Sequence, residues 1–365
     1  MNKKINIFGG GIAGLSLAKQ VDNIEGLETN LFTLKNNKKD HFIAFWKVDS
    51  MKDAYSIKVK SWKKWKIVTN QNEKLFTAFK HDYCVIKKNK WIDLCYKKIL
   101  KNKNTYIKNE KIDNINSIFF KTHNLGDKDL IFDSRPVQYP KNILLQHFYG
   151  KIVKTEKDTF DDEVVTLMDF RCDQKKGIHF IYLLPLTKKM ALVESTLLSQ
   201  NTENNKFYSL SIKNYLERFY NLKEFSVVNT EKGIIPMHQL NCKNKQTIGI
   251  GIRGGAARPS TGYAFHFIQK QTNKLANQIK FNEKISNDIH SRFNLFMDRV
   301  FLRVLKVNKS LAPEIFYKFS LPLSGDEMAK FMIGEASIKL WFRIVYSLPK
   351  IIFIKSLIFV IVNVR

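Results

Sequence analysis

Residues 4–18 read KINIFGGGIAGLSLA, and the placing of the glycines in this stretch decides the fold. Lys4–Phe8 is a short β-type run, Gly9 to Gly14 form a tight turn, and Leu15–Val21 has helical composition. In a G-x-G-x-x-G turn, Gly9 permits the bend, Gly11 lets the backbone approach a pyrophosphate, and Gly14 lets the helix pack closely on the strand. The unpaired amides at the helix start then face the phosphate charge. The stretch therefore predicts the opening strand, turn and helix of a Rossmann-type lobe. A second β-type run, Thr29–Leu34, stands where the partner strand belongs, yet its end departs from the pattern. An acidic residue normally accepts hydrogen bonds from a ribose there, whereas this chain has LFTLK. Thr33 can accept one hydroxyl; Lys35 has no acceptor.

Further along, DLIFDSRP closes a β-type run at the ligand edge of the first lobe, and residues 113–121 read as another strand. Two long segments, LLQHFYGKIVKTEKDTFDDEVVTLMDFR and GIHFIYLLPLTKKMALVESTLLS, alternate apolar and polar residues between charged turns, which predicts an antiparallel sheet. Ile212–Leu222 is expected to be an amphipathic helix. A second glycine-rich element, GGAARPSTGYAF, precedes sequence with helical spacing of apolar residues. The expected class is α/β (α+β), with a Rossmann-type lobe interleaved with an antiparallel-sheet lobe and a helical C-terminal region.

With 365 residues, 44% of them hydrophobic, the chain can bury a sizeable core. Its formal charge is +28, from 61 basic and 33 acidic residues, which favours anionic surfaces. Nucleic acid is not expected, because no helix-turn-helix, zinc-finger or RNP pattern gathers the basic residues. They scatter through the chain, so compositional bias is an alternative source of the charge. Four separated cysteines and eight dispersed histidines, without CxxC or HExxH spacing, predict reduced thiols and no metal. Three glycines inside the N-terminal apolar run argue against a signal peptide and secretion. The C-terminal IKLWFRIVYSLPKIIFIKSLIFVIVNVR is apolar but interrupted by Lys339, Arg343, Pro349, Lys350 and Lys355. That suits an interfacial segment better than a membrane span; the alternative is a buried terminal helix.

Glu194 lies in MALVESTLLS, an apolar run where a carboxylate is costly without a partner or a role. Asp169 and Arg171 in LMDFR share one strand face and can form an ion pair, orienting an acid or serving structure alone.

Taken in order, FGGGIAGLSLA, IFDSRP, HFYGKIV with LMDFR, LLPLTKKMALVEST, GIIPM and GGAARPSTGYAF resemble the lycopene beta-cyclase family along nearly the whole chain. The resemblance implies a flavoprotein that folds the linear ends of lycopene into beta-ionone rings, giving beta-carotene via gamma-carotene. It implies reduced FAD, with NAD(P)H as reductant and no net redox change, hence an isomerase. Glu194 is the implied catalytic acid, with Asp169 and Arg171 as candidate helpers. Gly9, Gly11, Gly14 and Thr33 would meet one part of the FAD; Gly254, Gly255, Pro259, Thr261 and Gly262 would meet another, with Arg258 on phosphate. The expected divisions are 1–140 (first FAD-binding part), 141–232 (substrate sheet), 233–285 (second FAD-contacting part) and 286–365 (helical cap and tail). The expected partners are lycopene, related linear carotenoids and a lipid surface, with the protein peripheral or monotopic on the cytoplasmic side of the membrane. Competing readings on the same scaffold are an FAD-dependent monooxygenase, a prenyl reductase, or a non-catalytic membrane-bound flavin-binding protein.

Overall fold

The computed structural model describes residues 3–34, 40–102, 104–113, 129–240 and 246–363. The strand expected over 113–121 lies largely outside them, as do Lys35 and Cys242. In chain order, β1 (Lys3–Phe8), α1 (Ile12–Val21) and β2 (Leu27–Thr33) lead into β3 (Phe42–Trp46), β4 (Lys60–Trp62), β5 (Lys64–Val68), β6 (Glu73–Thr77) and β7 (Tyr83–Lys87). There follow α2 (Lys88–Asn102), β8 (Thr105–Asn109), β9 (Leu130–Asp133), β10 (Leu145–Lys154), β11 (Val164–Asp169), β12 (Ile178–Thr187) and β13 (Met190–Ser199). The chain continues through α3 (Asn205–Tyr220), β14 (Ser226–Pro236), β15 (Ile248–Gly249) and α4 (Phe265–Lys280). It ends in α5 (Arg292–Val307), α6 (Ala312–Ser320), α7 (Gly325–Met332), α8 (Ile338–Ser347) and α9 (Lys350–Val362).

The first sheet is all parallel, in the order β15-β9-β1-β2-β8. Parallel strands are covered on both faces and so carry near-continuous apolar runs; Ile5, Ile7, Leu31 and Phe132 are buried accordingly. Helix α1 packs on α2 and α4, and small residues on it permit that closeness. This is the Rossmann-type lobe expected from the first glycine turn.

The second sheet runs β14-β10-β13-β12-β11-β5-β6, antiparallel except where β11 meets β5. One face carries Ile181, Leu183 and Val193 against Ile212, Tyr215 and Leu216 of α3. The helix begins seven residues earlier than its apolar spacing suggested, because Asn204 caps it by accepting the Phe207 N–H at 3.0 Å. The opposite face carries Phe180, Leu184 and Leu192 toward the C-terminal helices. A small third sheet, β3-β7-β4, bridges the two lobes.

The second glycine-rich element is fastened to the C-terminal helices by Arg258. Its side chain is 1% exposed. The guanidinium meets Asp298 of α5 at 3.2 Å, donates to the Phe331 carbonyl of α7, and lies 4.4 Å from the Phe331 ring centre. Ser260 donates to the same Asp298 carboxylate at 2.6 Å. The phosphate contact expected of Arg258 is not what this position offers, since the guanidinium is already held inside the protein.

Among the described residues no single helix is long and apolar enough to cross a membrane; α8 and α9 together have the length but are bent by 119°. Leu340, Trp341 and Ile344 face inward, whereas Phe342, Tyr346, Ile351 and Ile358 are exposed. The tail is thus neither wholly buried nor a straight span.

Removing the Asp298 carboxylate leaves a buried guanidinium without its counter-charge. Asp298→Ala should cost roughly 3–5 kcal/mol of stability, read as a lower urea midpoint with an unchanged denaturant slope.

Candidate functional site

The two glycine turns, far apart in sequence, meet in space. Gly9 has φ +99°, and a Cβ there would lie 2.6 Å from Ser134 Oγ, which itself donates to the Phe8 and Gly9 carbonyls. A Cβ on Gly14 would fall 1.9 Å from the Gly9 carbonyl oxygen, so only glycine lets α1 sit this close to the turn. Gly11 differs: nothing lies within 4 Å of where its Cβ would be, and no side chain caps α1. Open space before uncapped helix amides is what an anionic group needs. Thr33 ends β2 packed against Gly10, where a Cβ would lie 2.0 Å from its hydroxyl oxygen; that hydroxyl donates to the Leu34 carbonyl at 3.3 Å.

From the other side comes Gly251, at φ +64°, where a Cβ would come within 2.6 Å of Ala13 Cβ in α1. Gln271 of α4 clamps this turn, accepting from the Gly251 N–H at 2.7 Å and donating to the Gly254 carbonyl at 2.9 Å. Gly254 and Gly255 are hemmed in by backbone, Gly254 by Gly249 and Gly255, at φ +73°, by Leu240. Pro259 is buried, and Thr261 and Gly262 open onto the cavity described next. The arrangement leaves room for an elongated dinucleotide, whose phosphates would lie before α1 and whose far end would reach Gly262.

The cavity has a volume of about 440 Å³ and runs from Ile12 and Gly262 along the second sheet to Trp341 and Phe353. Its walls are mostly apolar and aromatic. Trp46 packs at 4.6 Å from Tyr83 and 5.4 Å from Tyr263, between ring centres, and its backbone N–H donates to the Tyr263 hydroxyl at 3.1 Å. Tyr83 and Tyr182 share a hydrogen bond of 2.9 Å. Burial pushes both tyrosines further up, so they stay neutral.

Into this wall project two carboxyl groups. Glu194 stands on β13 opposite Gly150 of β10, and Glu231 stands on β14 opposite the same glycine. Both are buried. Burial, then the neighbouring Glu231, holds the Glu194 carboxyl well above the usual carboxylate range. Burial raises Glu231 as well, while hydrogen bonds from Glu194 and from the Phe42 N–H, at 3.0 Å, pull it back. Both shifts favour the neutral form, so a proton is retained within the pair. A protonated carboxyl in a water-poor aromatic chamber is equipped to act as a general acid.

Asp169 and Arg171 do not join this group. Asp169 pairs across the sheet with Ile181, on the face that meets α3. It accepts from Arg171 at 2.6 and 2.9 Å and from the Tyr215 hydroxyl at 2.8 Å. Arg171 lies over the Phe219 ring and borders a wide polar depression on that side. The ion pair expected from LMDFR is present, but it ties α3 to the sheet rather than facing Glu194. Glu231, Tyr83 and the spacing role of Gly150 were not anticipated. The only sequence trace of Glu231 is an acid two residues before the glycine of GIIPM.

No group of three His, Cys, Asp or Glu side chains among the described residues could hold a metal ion. The family model described as lycopene cyclase protein matches residues 4–351. Comparison with curated protein sequences gives no match. Among solved structures, the chain is similar to a geranylgeranyl bacteriochlorophyll reductase-like protein from Thermoplasma acidophilum (TM-score 0.59, 13% identity, 98% of this chain and 99% of that one). It is also similar to a flavoprotein/dehydrogenase from Cytophaga hutchinsonii (TM-score 0.59, 11% identity, 91% and 92%). A flavin-dependent brominase aligns with TM-score 0.58 at 10% identity, over 93% and 97%. At these identities the likeness establishes a shared fold.

An acid with a raised folded-state pKa ionises more readily in the unfolded chain, so it costs stability as pH rises above the ordinary carboxyl range. Glu194→Gln removes that cost. The variant should have a higher urea midpoint than the parent at neutral pH, and the gap should close on acidification below that range.

Proposed function

The chain belongs to the lycopene cyclase family, and on that premise we propose that it closes the linear ends of lycopene into beta-ionone rings, giving beta-carotene by way of gamma-carotene. The observation that carries this reading is the buried Glu194, its carboxyl held well above the usual carboxylate range, inside an aromatic, apolar cavity of about 440 Å³. Cyclisation begins when an acid protonates the terminal trisubstituted alkene. Glu194 supplies that proton. The resulting cation would lie in a chamber lined by Trp46, Tyr83 and Tyr182, whose π systems stabilise positive charge. Few polar atoms line the chamber, so water is kept from capturing the cation before the neighbouring double bond does.

The cofactor of this proposal is FAD, kept reduced by NAD(P)H. Gly9, Gly11 and Gly14 would hold its phosphates before α1, and Gly254, Gly255, Pro259, Thr261 and Gly262 would flank its other end. When bound and reduced it supplies an electron-rich ring system that favours nearby positive charge, with no net electron transfer to product. Arg258 supports this side indirectly, by fixing the second turn to α5 and α7.

We further propose that α8 and α9 seat the protein on the cytoplasmic face of a membrane. The same helices supply cavity walls, through Trp341, Ile344 and Phe353, and an apolar exterior, through Phe342 and Ile358. A carotenoid dissolved in the bilayer would meet these helices first. A net charge of +28 adds attraction to anionic headgroups.

In a lycopene-accumulating bacterium the protein should yield ringed pigment of unchanged mass, and Glu194→Gln should lower turnover by roughly 10²–10⁴-fold. Heavier or hydrogenated pigment would replace this reading with an oxygenase or a reductase. For the lipid surface, Phe342→Asp with Ile358→Asp should abolish co-sedimentation with anionic phospholipid vesicles while the protein stays folded. Unchanged co-sedimentation would exclude these helices as the anchor.

A further inference from the structure

We infer that Glu231 is the positioning partner of Glu194: the two carboxyl groups hold one proton between them over Gly150, and the pair, not Glu194 alone, is the acid that gives a proton and the base that recovers one. The inference rests on the cyclase reading for its substrate and on geometry for the pair. Strands β13 and β14 flank β10, so their facing residues are roughly 10 Å apart across two strand spacings. An ordinary side chain on β10 would stand between them, as Phe148 does one step away on the cavity face. At the single position opposite both glutamates the chain has Gly150, where a Cβ would come within 2.8 Å of Glu194 Cγ and 3.2 Å of Glu231 Cγ. The missing side chain is what lets the carboxyls lean together. Glu231 is held from its far side by the Phe42 N–H at 3.0 Å, which leaves its other oxygen for Glu194.

The cycle balances without an outside base. The pair starts with one proton. The alkene π pair takes it from Glu194 and becomes a C–H bond, leaving two carboxylates beside a cation. The internal π pair closes the C–C bond of the ring. A ring C–H then breaks, its electrons form the ring double bond, and its proton returns to the pair. Among the described residues the other ionisable groups around the site are Tyr182 of β12, Tyr83 of β7, Tyr263 before α4, Asp40 and His41 before β3, and Asp298 of α5, which is paired with Arg258. Asp40 accepts from the His41 and Asn89 N–H groups at 3.1 and 2.9 Å. The tyrosines stay neutral.

The test follows the protonated-carboxyl C=O band by infrared spectroscopy against pH, assigned by its loss in Glu194→Gln, alongside the pH dependence of turnover. Glu231→Gln keeps a hydrogen-bond partner and removes a negative neighbour, so Glu194 should ionise at lower pH. Both the band and the alkaline limb of activity should move down by about one pH unit or more, with neutral-pH turnover falling at least about tenfold. Gly150→Ala, which keeps both acids and wedges them apart, should move them the same way and decides the matter if Glu231→Gln does not fold. Titrations that superimpose on the parent in the variants that fold would overturn the inference. Because the infrared titration needs no carotenoid, it still judges the pair if the protein makes no ringed product.

Discussion

Two carboxyl groups sit out of water on an apolar sheet face, and that cost organises the molecule around them. A lone buried carboxylate would be expelled or neutralised. This pair persists because one proton serves both groups, the Phe42 amide satisfies Glu231, and Gly150 leaves room for contact. Long strands hold these partners in register: β10, β13 and β14 pair over ten residues or nearly so, with one bulge beyond the glutamates. The small third sheet has a reason to exist here, since β3 brings Phe42 to Glu231 and Trp46 to the cavity.

What could be read from the sequence follows from how local each signal is. The first glycine turn was legible because strand, turn and helix are adjacent in the chain, and each glycine's role is set by neighbours a few residues away. The alternation in MALVESTLLS placed Glu194 in an apolar run for the same reason. Glu231 was not legible. Its partnership depends on the register of β14 against β10, eighty residues apart, and a single acid in NTEKGIIPM looks like any surface glutamate. Alternation did bring Asp169 and Arg171 together, but it could not tell which face of the sheet would receive α3. Arg258 misled in a different way. A basic residue beside a glycine-rich turn suggests phosphate, and only the folding of α5 back over the turn reveals the Asp298 carboxylate that takes it.

The C-terminal third does more than cover the sheet. Helices α5 to α9 close one end of the cavity, and α9 packs along α5. Their inner residues are aromatic or aliphatic, and their outer residues on α8 and α9 are apolar as well. Helices α8 and α9 thus turn one face to the protein and leave apolar side chains exposed on the other, between the exposed basic residues Lys339, Arg343 and Lys355.

Arg258 sits at the joint between the second glycine turn and the helices that wall the chamber, touching both through Asp298 and the Phe331 carbonyl. Met297, Asp298 and Phe331 also line that chamber. The second glycine turn and the chamber wall are therefore built on one shared ion pair, and a change at Asp298 reaches both compartments at once.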